Sequence, residues 1–165
     1  MQLKMRTFTG TTSDGVTSRE LANRELARRA AAEGFVLLKN EGHFLPVEKN
    51  SKIALYGAGA VKTIKGGTGS GDVNERDCVS ICQGMKQAGF IITSEKWLDS
   101  YAALYDQARL EWKDAIMKRV EEYDGNFFRA YSSIPFTMPC GSPLDMETAR
   151  ADDADTAVFV LSRIA

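Results

Sequence analysis

Eight residues, Lys65-Gly-Gly-Thr-Gly-Ser-Gly-Asp72, hold four glycines and follow closely on the apolar run from Ile53 to Ala60. A stretch of this kind cannot lie inside a helix or a regular strand. Glycine at such density permits positive φ and close approach of a ligand to the main chain, while Thr68, Ser70 and Asp72 supply short polar groups. The combination predicts a buried strand running into a loop that exposes its backbone. In open α/β sheets ligands sit beyond the carboxyl ends of the strands, where this loop falls.

The remainder of the chain alternates helix and strand signals. Thr17 and Ser18 are helix caps for a helix from about Arg19 to Glu33, with Leu21, Leu26, Ala30 and Ala31 on one face and Gly34 as its stop. Phe35 to Leu38 is expected as a short buried strand, Lys39 to Gly42 as a turn, and Lys52 to Tyr56 as the strand that feeds the glycine loop. After the loop, Cys78, Val79, Ile81, Cys82 and Met85 suggest a helical face closed by Gly89, and Phe90 to Thr93 a further strand. A long helix is expected over Glu95 to about Glu122, because Trp97, Leu98, Tyr101, Leu104, Tyr105 and Ala108 recur three or four residues apart. From Asp124 to Asp145 three prolines and two glycines predict an irregular segment, unusual in also carrying Phe127, Phe128, Tyr131 and Phe136. A short helix over Glu147 to Asp153 and a buried strand over Thr156 to Leu161 complete the pattern. The fold class is α/β: a layered α/β sandwich with a mostly parallel sheet, expected to be incomplete at its C-terminus because a central strand rarely ends such a domain without a covering helix.

Composition narrows the function. The chain has 165 residues, 44% of them hydrophobic, enough for one domain with an ordinary core. With 21 basic against 22 acidic residues there is no general attraction for nucleic acid or an anionic membrane, so neither is expected as a partner. The N-terminus lacks the apolar core of a signal peptide and no run of about 18 apolar residues occurs, so a cytoplasmic location is expected. Cys78, Cys82 and Cys140 are odd in number and have no neighbouring histidine to complete a metal site. Reduced and mostly buried thiols are expected, with neither a metal nor a cofactor.

Nucleotide motifs fit the glycines poorly. In Gly57-Ala-Gly59-Ala-Val-Lys62 a lysine occupies the third small position of a dinucleotide fingerprint, where close packing of helix on strand excludes a side chain. A P-loop needs Gly-Lys followed by Ser or Thr, yet Lys62 and Lys65 both precede the glycine cluster.

Taken together, Ala27-Arg-Arg-Ala-Ala-Ala-Glu-Gly-Phe-Val-Leu-Leu-Lys-Asn-Glu41, the pair Leu45-Pro46, the strand to Gly57, the loop Gly66 to Val73, and Gly84-Met-Lys-Gln-Ala-Gly89 resemble the α/β sandwich domain of glycoside hydrolase family 3, the β-glucosidase family. The ending Ala154 to Arg163 resembles a later strand of that domain; the residues between Thr93 and Ala154 match no pattern of it. The resemblance implies a partial sandwich domain over 19–165, preceded by an extension over 1–18 and interrupted by an insert at about 124–145. It also implies a retaining hydrolase of β-glucosides, whose carboxylate nucleophile and acid/base stand about 5–5.5 Å apart. In the family the nucleophile is an aspartate of a (β/α)8 barrel, so the barrel is an expected partner, placed downstream as in the subgroup with swapped domain order. The acid/base glutamate is expected just beyond Ala165.

No catalytic residue is therefore assigned within the chain. The candidate substrate-binding residues are Lys65, Gly66, Gly67, Thr68, Gly69, Ser70 and Asp72, with a β-glucoside or oligosaccharide as ligand. Glu41 and Glu75 have no partner recognisable from sequence, Lys39 and Asn40 are read equally well as turn residues, and His43 as a surface turn residue. Trp97, Tyr101, Trp112 and Phe127 are aromatic candidates for sugar stacking, although helical spacing assigns the first two to core packing. Phe127, Phe128 and Tyr131 are candidates for an interface or a pocket rim. The alternative is a stand-alone carbohydrate- or nucleotide-binding module in which the glycine loop forms the whole site. Apolar faces left open on a partial sandwich imply self-association.

Overall fold

The computed structural model describes residues 15–66 and 78–162. They fall into two compact units, divided between Val47 and Glu48.

In the first unit the helix α1 spans Ser18–Glu33. Thr17 caps it through a reciprocal box: its hydroxyl accepts from the Glu20 amide at 3.2 Å, and its own amide donates to the Glu20 carboxylate at 2.7 Å. Gly34 closes the last turn by donating to the Ala30 carbonyl. Residues 35–40, expected as a buried strand, form no regular element, and Leu38 is 91% exposed. An apolar run marks a need for cover, but a strand also requires a ladder partner, and no described residue pairs with this one. A short 3-10 turn follows at Glu41–His43. It is spanned by Asn40, whose amide donates to the Leu45 carbonyl at 2.7 Å and whose side-chain oxygen accepts from the Leu45 amide at 2.9 Å.

The second unit is built on a parallel sheet. Strand β1 (Lys52–Tyr56) lies between β2 (Ile91–Ile92) and β3 (Thr156–Phe159), paired in parallel with each. Ile53, Ala54, Leu55 and Tyr56 are all buried, as a central parallel strand with both faces covered requires. Among the described residues the helices α2 (Ala58–Val61), α3 (Ile81–Gln87), α4 (Glu95–Glu122), α5 (Phe127–Ser133) and α6 (Met146–Ala151) lie between the strands, and α6 leads into β3. The limits of α4 agree with those expected from its periodicity. Three expectations are corrected. A one-turn helix, α2, stands between β1 and the glycine stretch, and α5 occupies part of the segment expected to be irregular. In addition, the strand expected as buried over Thr156 to Leu161 is half open: β3 ends at Phe159, and Phe159 and Leu161 are exposed on a face that no described element covers.

The α3 boundary alters the cysteine reading as well. Ser80 caps the helix through a reciprocal bond pair with Gln83, so Cys78 precedes the helix instead of lying on its face. Cys82 is buried, whereas Cys78 and Cys140 are exposed, contrary to the expectation of mostly buried thiols.

A single buried hydroxyl continues the sheet where β2 stops. Ser94, fully buried, accepts from the Leu55 amide at 2.7 Å and donates to the Leu55 carbonyl at 2.6 Å. Replacing Ser94 by Ala strands a buried donor and a buried acceptor, each costing about 1–3 kcal/mol, so the expected loss is about 2–6 kcal/mol. Urea unfolding of Ser94→Ala should show this as a lowered midpoint with unchanged slope; a loss under about 0.5 kcal/mol would refute the bridging role.

Candidate functional site

The carboxyl end of β1 is where the sequence placed the site, and the local structure there follows from two glycines. Gly57 has φ of 94°, a conformation that L side chains rarely adopt, and a Cβ on it would collide with the Val160 carbonyl. A Cβ on Gly59 would come within 2.7 Å of the Val160 side chain. Both positions are therefore small so that the turn after β1 can press on the end of β3, where the Val160 amide donates to the Tyr56 carbonyl at 2.8 Å. This explains why the pair imitates the opening of a dinucleotide fingerprint. Lys62, at the third small position, leaves the turn sideways: its ammonium pairs with Asp106 at 2.6 Å and lies 5.1 Å from the Tyr105 ring centre.

The chain then passes through Thr63, whose hydroxyl donates to the Gly59 carbonyl at 2.7 Å and accepts from the Ile81 amide at 3.0 Å. Of the predicted site residues, Lys65 and Gly66 follow after Ile64 and are exposed. Gly67, Thr68, Gly69, Ser70 and Asp72 lie outside the described residues, as does Glu75. Sequence reading missed Thr63, although a hydroxyl residue just ahead of a glycine cluster was a usable signal.

The other candidates have structural partners. Glu41 pairs with Lys39 at 3.0 Å on the surface, and Asn40 staples its own turn, as the turn reading anticipated. Trp97 stacks on Tyr101 with ring centres 5.6 Å apart, meets Tyr56 edge-on, and donates its indole N–H to the Ser142 carbonyl at 3.1 Å. Trp112 donates to the Ile134 carbonyl at 2.7 Å and packs edge-on against Tyr131 and Phe136. Both indoles thus serve packing, with their polar tips satisfied. Phe127 stacks on Tyr131, and Phe128 is 79% exposed.

A second concavity, a groove of about 610 Å³, runs between the first turns of α4 and residues 142–152 and is lined by Lys96, Trp97, Ser142, Asp145, Glu147 and Asp152. Two of its carboxylates are engaged. Asp145 caps α6 by accepting from the Thr148 amide at 2.7 Å, a bond that holds its pKa below the ordinary value. Asp152 accepts from the Tyr56 hydroxyl. Burial, reinforced by that bond, pushes the Tyr56 pKa from 10.0 up to about 12. A folded-state value above the unfolded one means that Tyr56 contributes stability fully present below pH 10 and lost as the pH rises toward about 12. Chemical unfolding at a series of pH values should therefore show a decline over that window, and Tyr56→Phe should flatten it.

Three comparisons bear on this arrangement. Residues 35–165 match the glycosyl hydrolase family 3 C-terminal domain. Over 134 residues, 81% of the chain, it is 31% identical to β-glucosidase A of Butyrivibrio fibrisolvens, of which it spans only 14%. Among solved structures it resembles β-glucosidase 3B of Thermotoga neapolitana in complex with α-D-glucose, with a TM-score of 0.57 at 33% identity over 90% of this chain and 19% of that one. A second structure of that enzyme, in complex with glucose, gives a TM-score of 0.58 at 35% identity over 88% of this chain and 18% of that one. The fold and its glycine-bearing turn are those of a layered α/β sandwich domain. The chain belongs to glycosyl hydrolase family 3, and it corresponds to that family's C-terminal domain.

The turn generates its own test. Gly57→Ala forces a positive φ on an L residue and a Cβ into the Val160 carbonyl, so a loss of more than about 1 kcal/mol is expected on thermal or urea unfolding. An unchanged midpoint would show that the turn relaxes without cost.

Proposed function

We propose that the chain forms part of a β-glucosidase-type glycoside hydrolase and contributes the loop from Lys65 to Asp72 to a sugar site. The chemistry is retaining hydrolysis, with the carboxylate nucleophile and the acid/base outside these 165 residues, the nucleophile on a (β/α)8 barrel. The observation that carries this reading is the family match, joined to the likeness to a β-glucosidase whose structures hold glucose. Two features of the chain agree with it. The loop leaves the carboxyl end of the central strand, where α/β folds place their ligands. Carboxylates near that end are occupied locally, Asp106 by Lys62 and Asp152 by Tyr56, which favours a binding contribution over a catalytic one. A nucleotide module is disfavoured because Gly57 and Gly59 are filled by Val160 and Lys62 by Asp106.

Titration calorimetry with glucose, beside an assay with p-nitrophenyl β-glucoside on the same sample, tests the reading. The expected result is weak binding, on the order of millimolar, without turnover. Turnover would place both catalytic carboxylates inside the chain, and the absence of any heat would remove the loop from the sugar site.

A further inference from the structure

We infer that the aromatic face of α4 is a recognition surface for proline-bearing chain segments, and that residues 134–143 lie on it as its ligand in cis. These residues, Ile134-Pro-Phe-Thr-Met-Pro-Cys-Gly-Ser-Pro143, form no regular element, and none of them is fully buried. Prolines recur four apart at 135, 139 and 143, and each brings a carbonyl but no amide that needs a partner. Among the described residues, no backbone group from Pro135 to Leu144 bonds to another backbone group. Side chains of α4 hold the segment instead. The Trp112 indole donates to the Ile134 carbonyl at 2.7 Å, the Tyr101 hydroxyl to the Pro139 carbonyl at 3.2 Å, and the Trp97 indole to the Ser142 carbonyl at 3.1 Å.

The rings of the same face set the fit. Phe136 meets both Tyr105 and Trp112 edge-on at 5.5 Å, and the Arg109 guanidinium lies 5.0 Å from its ring centre. Gly141 lies so near Trp97 that a Cβ on it would come within 2.6 Å of the indole. Rings that pack with their bodies and donate from their polar tips, meeting a segment of carbonyls without a ladder of its own, are how aromatic-lined grooves take proline-rich peptides. All three donors belong to α4, which is fixed from below by the buried Leu98, Tyr101 and Ile116. The surface therefore keeps its place when the segment lifts, and residues 134–143 are a displaceable strap. The partner that fits the uncovered face is a proline-bearing segment of another chain, presenting its carbonyls to the same three donors.

The test supplies the strap in trans. Gly141→Ala drives a methyl into Trp97 and lifts the strap while leaving α4 unaltered. Both tryptophans of the chain are anchors, so acrylamide quenching of tryptophan fluorescence in the full chain reads the state of the surface. Gly141→Ala is expected to be quenched more strongly than the native chain. A synthetic peptide spanning 133–144 and carrying Cys140→Ser should return the quenching to its native level in a saturable manner. The same peptide with all three prolines replaced by alanine should bind about tenfold more weakly, having lost its preorganisation. A cover with a purely structural role would be loosened by the substitution but not restored by free peptide. Failure of the peptide to restore quenching in a variant with native circular dichroism therefore overturns the proposal, as do quenching unchanged by Gly141→Ala and equal binding of the alanine peptide. If Gly141→Ala does not fold, Phe136→Ala, which withdraws a half-buried ring from the same strap, decides in the same sense.

Discussion

The Ser94 hydroxyl sustains the β1–β2 ladder beyond the point where β2 ends, and the rest of the second unit depends on it. Strand β2 is two residues long, and its ladder to β1 closes with the Thr93 amide on the Ile53 carbonyl. The next amide and carbonyl of β1 on that side belong to Leu55, at the centre of the core. Without a partner they would be buried and unsatisfied, a larger cost than any single van der Waals contact nearby. Ser94 meets both with one oxygen, and in the next residue the chain enters α4. The same residue therefore ends a strand, completes a sheet and sets where a 28-residue helix begins over it.

On the opposite side of β1 the constraint is steric. Asp155 and Val160 amides donate to the Lys52 and Tyr56 carbonyls and hold β3 in register at both ends. The close approach at Val160 is possible only because Gly57 and Gly59 lack side chains. Glycines that in isolation suggest a phosphate cradle are used here to bring two strand ends together. Local sequence could not separate these uses, because both require the same absence of a Cβ and differ only in what fills the space.

Elements whose signal is periodic or whose partner lies close in sequence were legible. The helix α4 declared itself through apolar residues three and four apart, and α1 through Thr17 as its cap and Gly34 as its stop. The central strand was legible because four consecutive buried residues admit little else. Residues 35–38 show the limit of that argument, since an apolar run reports what a segment needs and not what meets it. For α5 the signal was present but outweighed: Asn126 accepts from the Arg129 amide at 3.0 Å as a helix cap, while the surrounding prolines and glycines spoke for irregular chain. At the candidate site the strand end was readable. Thr63 was not, because its partner Ile81 lies 18 residues away and is a backbone amide that any residue but proline would offer.

The aromatic residues of α4 connect these parts. From the turn after β1, Lys62 rests on Tyr105, Tyr105 meets Phe136 edge-on at 5.5 Å, and Phe136 and Trp112 share Arg109 between centre distances of 4.7 and 5.0 Å. Trp112 then meets Tyr131, which stacks on Phe127. A helix as long as α4 needs cover along its apolar stripe. The segment after it supplies that cover by folding back with rings in place of aliphatic groups. Rings with cations set over their faces can remain partly wet without losing their contacts, which suits a cover only one short helix thick. Because Lys62 is both the first member of this series and the residue before Thr63, α4 holds the turn after β1 on one side and the folded-back segment on the other. The segment between 124 and 145, which lies inside the stretch that matches the family's C-terminal domain, is thus joined through one helix to the turn after β1.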